Sequence, residues 1–600
     1  MSGGSQISDR PGLRQALATA AAWAMIASAG EFVIHLVGWY GFGRPMYQGI
    51  DVVWSKPLVN LLLFLAPVIV LRYLEARYFV VCLAFLACAA VLLLLRPGSP
   101  IPMIILAAGI GTRLGVFLGP ARRQAFTVRA GKLLAAGFVI ATFITQGARS
   151  LSQRGDPPTA APPGAPNVLL IILDTVRAAS LSLYGGRAAT PTLESLAATG
   201  IAFDRAVTTA PWTLPSHASM FTGLWPHEHR ADWRIPLDDR ATTLAEILRR
   251  AGYRTGGFVA NLVYTSREHG LDRGFQVYRD YRRSPGALFR SAALGQSLTT
   301  STVVRRLTGL REVAGRKWAS RVNNEFLAWE QRAGDQPWFA FLNYYDAHEP
   351  YVPRPPYAAR YSSGLPPRRI ESQRFWSVEG GIADWTDLAP AEVEAERAAY
   401  EEAITGLDAD VGALLSDLRR RGVLDRTIVV ITSDHGELFG EHDAHAHGNS
   451  VFWRTIHVPL VMSWPGHVPA GTRVADPVSL RNIAATILGL AFPDLESALP
   501  GTSLLARPDS TRQSLALSEL SPEEFTRSDA PMRNGALQSL SGPQWQYTRA
   551  TNGHEDVYWT GNGRPDTLVT VPVIRAAVID TARALLSAAR IPVPPRDSTR

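Results

Sequence analysis

Cysteine is nearly missing from this chain of 600 residues: there are two, Cys82 and Cys88. Both lie inside one apolar run. No cysteine follows residue 88, which excludes a disulfide framework or a thiolate metal centre for the larger part of the chain. An excess of one charge sign is missing from that larger part as well. Residues 1–150 hold 13 Lys+Arg against 4 Asp+Glu, and the remaining 450 hold 47 against 48. The formal net charge of +8 is therefore a property of the N-terminal quarter. A nearly neutral globular part lacks the basic face that nucleic-acid binding requires, so no nucleic-acid partner is expected. A repeat of fixed period is also lacking.

What is abundant is apolar sequence before residue 150. Five stretches stand out, roughly Leu13–Gly38, Pro57–Leu71, Tyr78–Leu95, Ile101–Leu118 and Leu133–Gln146. Crossing the hydrocarbon core takes about 20 residues at ~1.5 Å each, and the second and fifth stretches are short by that measure. The first is too long for a cleaved signal peptide and has no small-residue cleavage site. Basic residues set the orientation. With the N-terminus inside, Arg10, Arg14, Arg72, Arg77, Arg122, Arg123, Arg129 and Lys132 are cytoplasmic, and only Arg44, Lys56 and Arg96 face outward. The expectation is a transmembrane bundle of about five helices over 1–148, with the lipid bilayer as its partner. An odd number of spans puts the rest of the chain outside, on the periplasmic face of a plasma (inner) membrane. Glu31 and His35 share one helix face and Arg113 interrupts the fourth stretch; a buried pair or an end-of-helix snorkel is the reading for such charges.

Residues 149–166 form a Pro/Ala/Gly linker that cannot build a core. After it, Asn167–Asp174, Trp338–Asp346 and Thr427–His435 are unbroken apolar runs closed by polar residues, the pattern of buried parallel strands. Helical patterns at Thr192–Thr199, Thr243–Ala251 and Pro390–Arg421 alternate with them. The expected fold is an α/β/α sandwich on a mostly parallel sheet over 167–500, with irregular insertions at 283–333 and 354–390. A small α+β subdomain and tail over 501–600 follows, with strands at Ala536–Leu540, Gln544–Ala550 and Glu555–Trp559 and a helix at Val573–Ala589.

Ligands gather beyond the carboxyl ends of such strands. Asp174, His348, Asp434 and His435 all fall at or just past those ends. Two carboxylates with an imidazole make a hard-oxygen and nitrogen donor set, suited to one divalent ion: Mn, Mg, Ca or Zn. Thr213 lies between Pro211 and Pro215 before a run of small residues, a turn opening a helix. A hydroxyl beside free backbone N–H groups and a cation can act as a nucleophile; an ordinary helix N-cap is the plain alternative.

The same residues carry a family resemblance. Leu173-Asp174-Thr175-Val176-Arg177, Tyr184-Gly185, Thr190-Pro191-Thr192-Leu193 and Thr213-Leu214-Pro215-Ser216-His217 resemble the N-terminal half of the sulfatases, in the alkaline phosphatase superfamily. Asp346-Ala347-His348-Glu349-Pro350, Ser433-Asp434-His435-Gly436-Glu437, His447-Gly448-Asn449-Ser450 and Val458-Pro459-Leu460 resemble the second half. The resemblance runs from about 166 to about 495 and implies a metal held by Asp174, Asp434, His435 and Thr213. It implies Thr213 as nucleophile and His348 and His447 on the oxygens of the substrate. His217, either an orienter of the nucleophile or a structural remnant, and Arg177, either a partner of a carboxylate or phosphate or one half of a surface ion pair, are further candidate substrate contacts. Departures matter. Thr175 stands where many sulfatases have a second metal carboxylate, and His217 stands for an Arg. A Gly-Lys-Trp-His segment is replaced by Gly257-Phe258-Val259-Ala260-Asn261. Thr213 occupies the position of the Cys or Ser that sulfatases convert to formylglycine, so no formylglycine is expected. A hydroxyl nucleophile resembles the phosphoryl-transferring branch, including lipid phosphoglycerol and phosphoethanolamine transferases with five membrane helices. The implied activity is a membrane-anchored, metal-dependent hydrolase or transferase of phosphate or sulfate esters with a covalent intermediate. Lipid-linked, envelope-glycan or small esters are the substrate classes. A sulfuric ester hydrolase without formylglycine and an inactive scaffold or sensor are the alternatives.

Overall fold

Seven successive buried residues, Asn167–Leu173, form the strand around which the larger unit is built. The computed structural model of the protein describes residues 10–42, 51–95, 100–152, 161–162, 164–280, 285–301, 304, 307, 316–366, 388–506, 515–521, 531–561 and 566–593. They divide into two compact units: those within 1–155 and 281–316 make one, and those within 156–280, 317–372 and 384–600 make the other.

In the larger unit, eight strands make the main sheet: β1 (Asn167–Leu173), β2 (Ile201–Phe203), β3 (Arg254–Val259), β4 (Val277–Arg279), β5 (Trp338–Tyr344), β6 (Thr427–Thr432), β7 (Leu460–Ser463) and β8 (Thr472–Val474). Their order is β8-β2-β7-β6-β1-β5-β3-β4. Only β7 runs against its neighbours; the other pairings are parallel. The three apolar runs are therefore the adjacent central strands, β6, β1 and β5. Register pairs Ile172 with Thr432 on one side and with Asn343 on the other, so the residues following each strand emerge together at one edge. Helices Pro191–Ala198, Leu244–Arg250, Ala319–Glu330 and Pro390–Arg420 flank the sheet chain. The first and last open on proline, which needs no N–H partner in the first turn. Leu244–Arg250 opens on a capping box: Thr243 Oγ1 accepts from Glu246 N at 3.2 Å and Glu246 Oε2 accepts from Thr243 N at 2.8 Å. Phe221, Phe341, Leu170 and Val430 belong to one continuous apolar core.

A five-stranded antiparallel sheet lies in the same unit, formed by Ala516–Leu520, Leu537–Ser541, Trp545–Ala550, Glu555–Trp559 and Thr567–Leu568. Helix Pro572–Ala588 covers it, burying Ala582 and Leu586 against Leu517, Tyr547 and Val557. Glu519 N donates to Thr209 O at 2.8 Å, which seats this sheet on the turn leading to Thr213.

The smaller unit holds helices Leu13–Phe42, Val52–Leu65 with Val68–Leu71, Ala76–Leu92, Pro100–Leu118 and Ala121–Ser152. Among the described residues, four apolar spans are long enough to cross a membrane: Leu13–Gly38, Val52–Leu71, Ile101–Leu118 and Ala121–Ala148. The remaining helix, Ala76–Leu92, has 17 residues and is apolar but shorter. The last helix starts well before Leu133, because its basic first turns are helical too, and it runs into the expected linker. Gly111 and Gly115 bring the fourth helix onto the third. A Cβ on either would lie 2.6 or 2.5 Å from the Cα of Phe85 or Val81. The insertion expected at 283–333 splits between the units. Helices Pro285–Phe289 and Ala293–Thr300 join the bundle unit, whereas Ala319–Glu330 packs on β5. Most of the insertion at 354–390 lies outside the described residues.

Candidate metal and nucleophile centre

Asp174 follows β1 and Asp434 follows β6, so two neighbouring parallel strands deliver two carboxylates to one point. Asp174, Asp434 and His435 are all fully buried, and one ligand atom from each lies within 4.8 Å of the others. The loops carrying them are stitched together. Thr175 N donates to Asp434 Oδ1 at 3.0 Å, and Val176 N donates to Ser433 Oγ at 2.9 Å. To aim its N–H this way Thr175 adopts φ 66°, a left-handed conformation that a β-branched residue rarely holds. Tyr400 supports the turn from both ends, donating to Thr175 O and accepting from Arg177 N, each at 2.9 Å. The Thr175 hydroxyl donates to Asp174 Oδ1 at 2.9 Å. The residue that stands in place of a carboxylate thus braces the ligand beside it.

Two amides complete the cradle. Asn261 Nδ2 and Asn343 Nδ2 donate to Asp174 Oδ2 at 2.9 and 3.0 Å. Asn261 follows β3 and Asn343 lies in β5, next to each other in the sheet, and Asn343 Oδ1 accepts from Asn261 N at 2.9 Å. Neither amide is singled out by sequence periodicity; only the sheet order brings them to Asp174.

Thr213 is the first residue of helix Thr213–Thr222, and Trp212 occupies the cap position. The hydroxyl is not used as a cap. Thr213 Oγ1 lies 3.3 Å from His435 Nε2 and 3.4 Å from Asn261 Nδ2, with the residue 2% exposed. One turn on, His217 Nδ1 donates to Thr213 O at 2.8 Å and sits 3.8 Å from Asp434 Oδ2. His217 is fully buried and its ring meets Phe341 edge-on, so its position supports Thr213 and Asp434 from within the core.

The other histidines line up beside this centre. The ring of His447 lies 4.4 Å from that of His435 and 5.0 Å from that of His348. His348 stacks on Tyr345. His447 Nδ1 is held by Glu437 Oε1 at 3.1 Å, and Glu437 Oε2 accepts from the Tyr351 hydroxyl at 2.9 Å. Glu437 belongs to a recognised motif, but its role as the partner of His447 comes only from the fold. Arg177 is 2% exposed, and its guanidinium donates to Ser180 Oγ, Glu437 O and Glu441 Oε1. Its charge is neutralised by a carboxylate of the protein, and it clamps the loop after β1 to the loop after β6. A small pocket of about 20 Å3 is lined by Trp212, Pro215, Asp232, Trp233, Gly448 and Glu519 among others. Trp212 and Gly448 are the chain neighbours of Thr213 and His447.

The electrostatics are those of a cation site. Burial, then the facing Asp434 carboxylate, pushes Asp174 above the ordinary carboxylate range. Burial pushes Asp434 up as well. Burial, with His447 beside it, pushes His435 down to about 3, so its imidazole is neutral and can donate a lone pair. For His447 burial pulls downward, but the Glu437 carboxylate outweighs it and the net shift is upward. Asp434 Oδ2 is buried and has no hydrogen-bond partner. Two carboxylates, a neutral imidazole and a hydroxyl around an unsatisfied oxygen fit a hard divalent cation.

Several known proteins are similar to this chain. The family model described as "Sulfatase" matches residues 166–493. Arylsulfatase K of Bos taurus is 28% identical over 425 residues, covering 65% of this chain and 75% of that protein. The multifunctional alkaline phosphatase superfamily protein PehA of Trinickia caryophylli is 28% identical over 396 residues, covering 56% of this chain and 76% of its own length. Among solved structures, the phosphonate monoester hydrolase of Agrobacterium radiobacter superposes with a TM-score of 0.56 at 24% identity, covering 70% of this chain and 95% of that one.

A divalent ion at a hundredfold excess over its Kd should stabilise the wild-type chain by about 2.7 kcal/mol. Asp434→Asn should lose that response. In chelator it should melt no lower than wild type, since it removes one of two like charges. Thermal melts with and without Mn, Mg, Ca or Zn check this.

Proposed function

The chain belongs to the sulfatase family, and from that premise we propose that it is a membrane-anchored, metal-dependent phosphoryl-transfer enzyme with Thr213 as its nucleophile. As a member of the family it is a hydrolase of sulfate or phosphate esters. The observation that carries the finer reading is the placement of the Thr213 hydroxyl, at the start of a helix and against His435 and Asn261. No cysteine lies in the larger unit, so formylglycine is not available from that source.

Asp174, Asp434, His435 and Thr213 would hold the ion. A divalent cation there supplies charge neutralisation and acidifies a neighbouring hydroxyl. In the proposed reaction Thr213 Oγ loses its proton to solvent and attacks phosphorus in line; the Oγ–P bond forms as the bond to the leaving oxygen breaks. The N-terminal dipole of helix Thr213–Thr222 favours the gathering negative charge. Asn261 Nδ2 is placed to donate to Oγ or to a non-bridging oxygen. His447, whose proton affinity Glu437 raises, delivers a proton to the leaving oxygen, and His348 contacts the oxygens beside it. Water or a second alcohol then enters, loses its proton to His447 and bonds to phosphorus as the Oγ–P bond breaks, and Thr213 takes a proton back from solvent. His217 and Arg177 hold the Thr213 helix and the Glu437 loop in register.

The apolar spans favour a lipid-linked or envelope-glycan substrate at the outer face of the plasma membrane. Orientation rests on the basic residues of the inner loops. A second reading, sulfate-ester hydrolysis without formylglycine, is favoured by the sulfatase names of the relatives.

Turnover of nitrophenyl phosphate, a nitrophenyl phosphodiester and nitrophenyl sulfate by the full-length protein separates the readings. Phosphorus esters should be preferred, and Thr213→Ala should cost about a thousandfold or more in kcat. Sulfate preference retained in Thr213→Ala would sink the proposal. Glu437→Gln should lower kcat about 10- to 100-fold with KM little changed. The loss should be larger for an alkyl ester than for a nitrophenyl ester, because only the alkoxide needs the proton from His447. An equal loss on both would remove His447 as the acid.

A further inference from the structure

Glu31 is a carboxylate buried inside an apolar helix, where an ionised group is costly. Every partner it has explains why it is there. Lys56 Nζ lies 3.2 Å from its Oε2, with both side chains fully buried. Asn60 Nδ2 donates to its Oε1 at 2.8 Å and also to Ser28 Oγ at 3.0 Å. These come from the first two helices of the bundle. The third donor does not: Ala293 N donates to Glu31 Oε2 at 3.1 Å across 262 positions of chain.

Ala293 is the first residue of helix Ala293–Thr300, so its N–H has no acceptor within its own helix. It is 2% exposed, and an unpaired buried N–H would be destabilising. A carboxylate is the favourable acceptor at a helix N-terminus. The contact is close because Ala292 and Ala293 are small and buried. Leu294 packs into the apolar cluster of the bundle. Helix Pro285–Phe289 packs on Val52–Leu65, and Ala293–Thr300 packs on Ala76–Leu92. Yet this segment is an insertion between β4 and β5, two strands of the catalytic sheet.

We propose that the helix pair Pro285–Phe289 and Ala293–Thr300 is a second, non-covalent attachment of the catalytic unit to the membrane bundle, with the Glu31 carboxylate as its acceptor. The covalent linker at 149–166 is then not the only tie. The position of the contact fits the orientation drawn from the basic residues. Glu31 lies ~27 Å along the first helix from Leu13, at the leaflet far from the N-terminus, and Lys56 is near the start of the second. The proposal uses the membrane reading of the bundle and is independent of the chemistry at Thr213.

The test replaces 155–160 of the full chain with a site-specific protease sequence, cuts it in membranes, and follows the C-terminal fragment by sedimentation. The wild-type fragment should stay with the membranes after complete cutting. Ala293→Pro should release it about tenfold faster or more, the loss expected for one hydrogen bond to a charged group. Proline suits the first position of a helix, and Ala292 already has the extended conformation that precedes proline, φ −96° and ψ 144°. The substitution therefore removes the N–H and keeps the helix. Glu31→Leu should release the fragment as well. Before cutting, all three chains should sediment and resist the protease in the absence of the new site, which reports that they are folded. Release of the wild-type fragment upon cutting overturns the proposal. So does equal retention in wild type and both variants. If the N-terminal fragment also leaves the membranes, the membrane reading falls with it.

Discussion

Two carboxylates, Asp174 and Asp434, are held side by side out of contact with water, and the rest of the catalytic unit depends on that placement. With ligand atoms within 4.8 Å, two unit negative charges repel by about 3–4 kcal/mol at an effective dielectric of 20. Among the described residues neither carboxylate pairs with a lysine or arginine; the donors are amides, a hydroxyl and backbone N–H groups, and the nearby His435 is neutral. Such a site is poor as an ion pair and good as a cation cradle. It also explains the raised proton affinity of both acids, which takes up protons where a cation would otherwise neutralise them.

The fold supplies this juxtaposition through neighbouring parallel strands. β1 and β6 end in register, so the residues after them meet without either loop having to reach. The left-handed Thr175 and the Tyr400 clasp hold the turn against its own strain, and Arg177 ties it to the Glu437 loop. The same loop then orients His447 through Glu437. One constraint thereby propagates from the ligand pair to the proposed acid, and the Thr213 helix is keyed to it through His217 and Ser216, whose hydroxyl donates to Asp434 O at 2.8 Å.

How much of this was legible in the sequence follows from the physics of each part. β1, β5 and β6 read clearly because central parallel strands are apolar on both faces, and their polar terminators mark the ligand edge. β2 and β8 are three residues each and carry no such signal. β7 could not be told to run antiparallel from its composition. Asp174, Asp434, His435 and Thr213 stood out because charged or nucleophilic groups end apolar runs or open a helix. Asn261 and Asn343 did not, because an amide has no periodicity and their role exists only once β3, β5 and β1 lie side by side. Glu437 was visible as part of a motif but not as a partner of His447. The insertion at 285–300 read as irregular chain, since its apolar face is matched to helices more than 190 residues earlier rather than to anything nearby. Glu31 was legible as a buried charge, and the identity of its distant donor was not.

The account therefore rests on Thr213 acting as a nucleophile at a cation site that two sheet strands build. Its most direct test is the intact mass of the full-length protein, quenched after brief exposure to a phosphate ester, with peptide mapping of any adduct. A phosphoryl-sized increase on Thr213, absent in Thr213→Ala, is the predicted result. Turnover of the ester under the same conditions with no adduct on Thr213, or with an adduct on another residue, would contradict it.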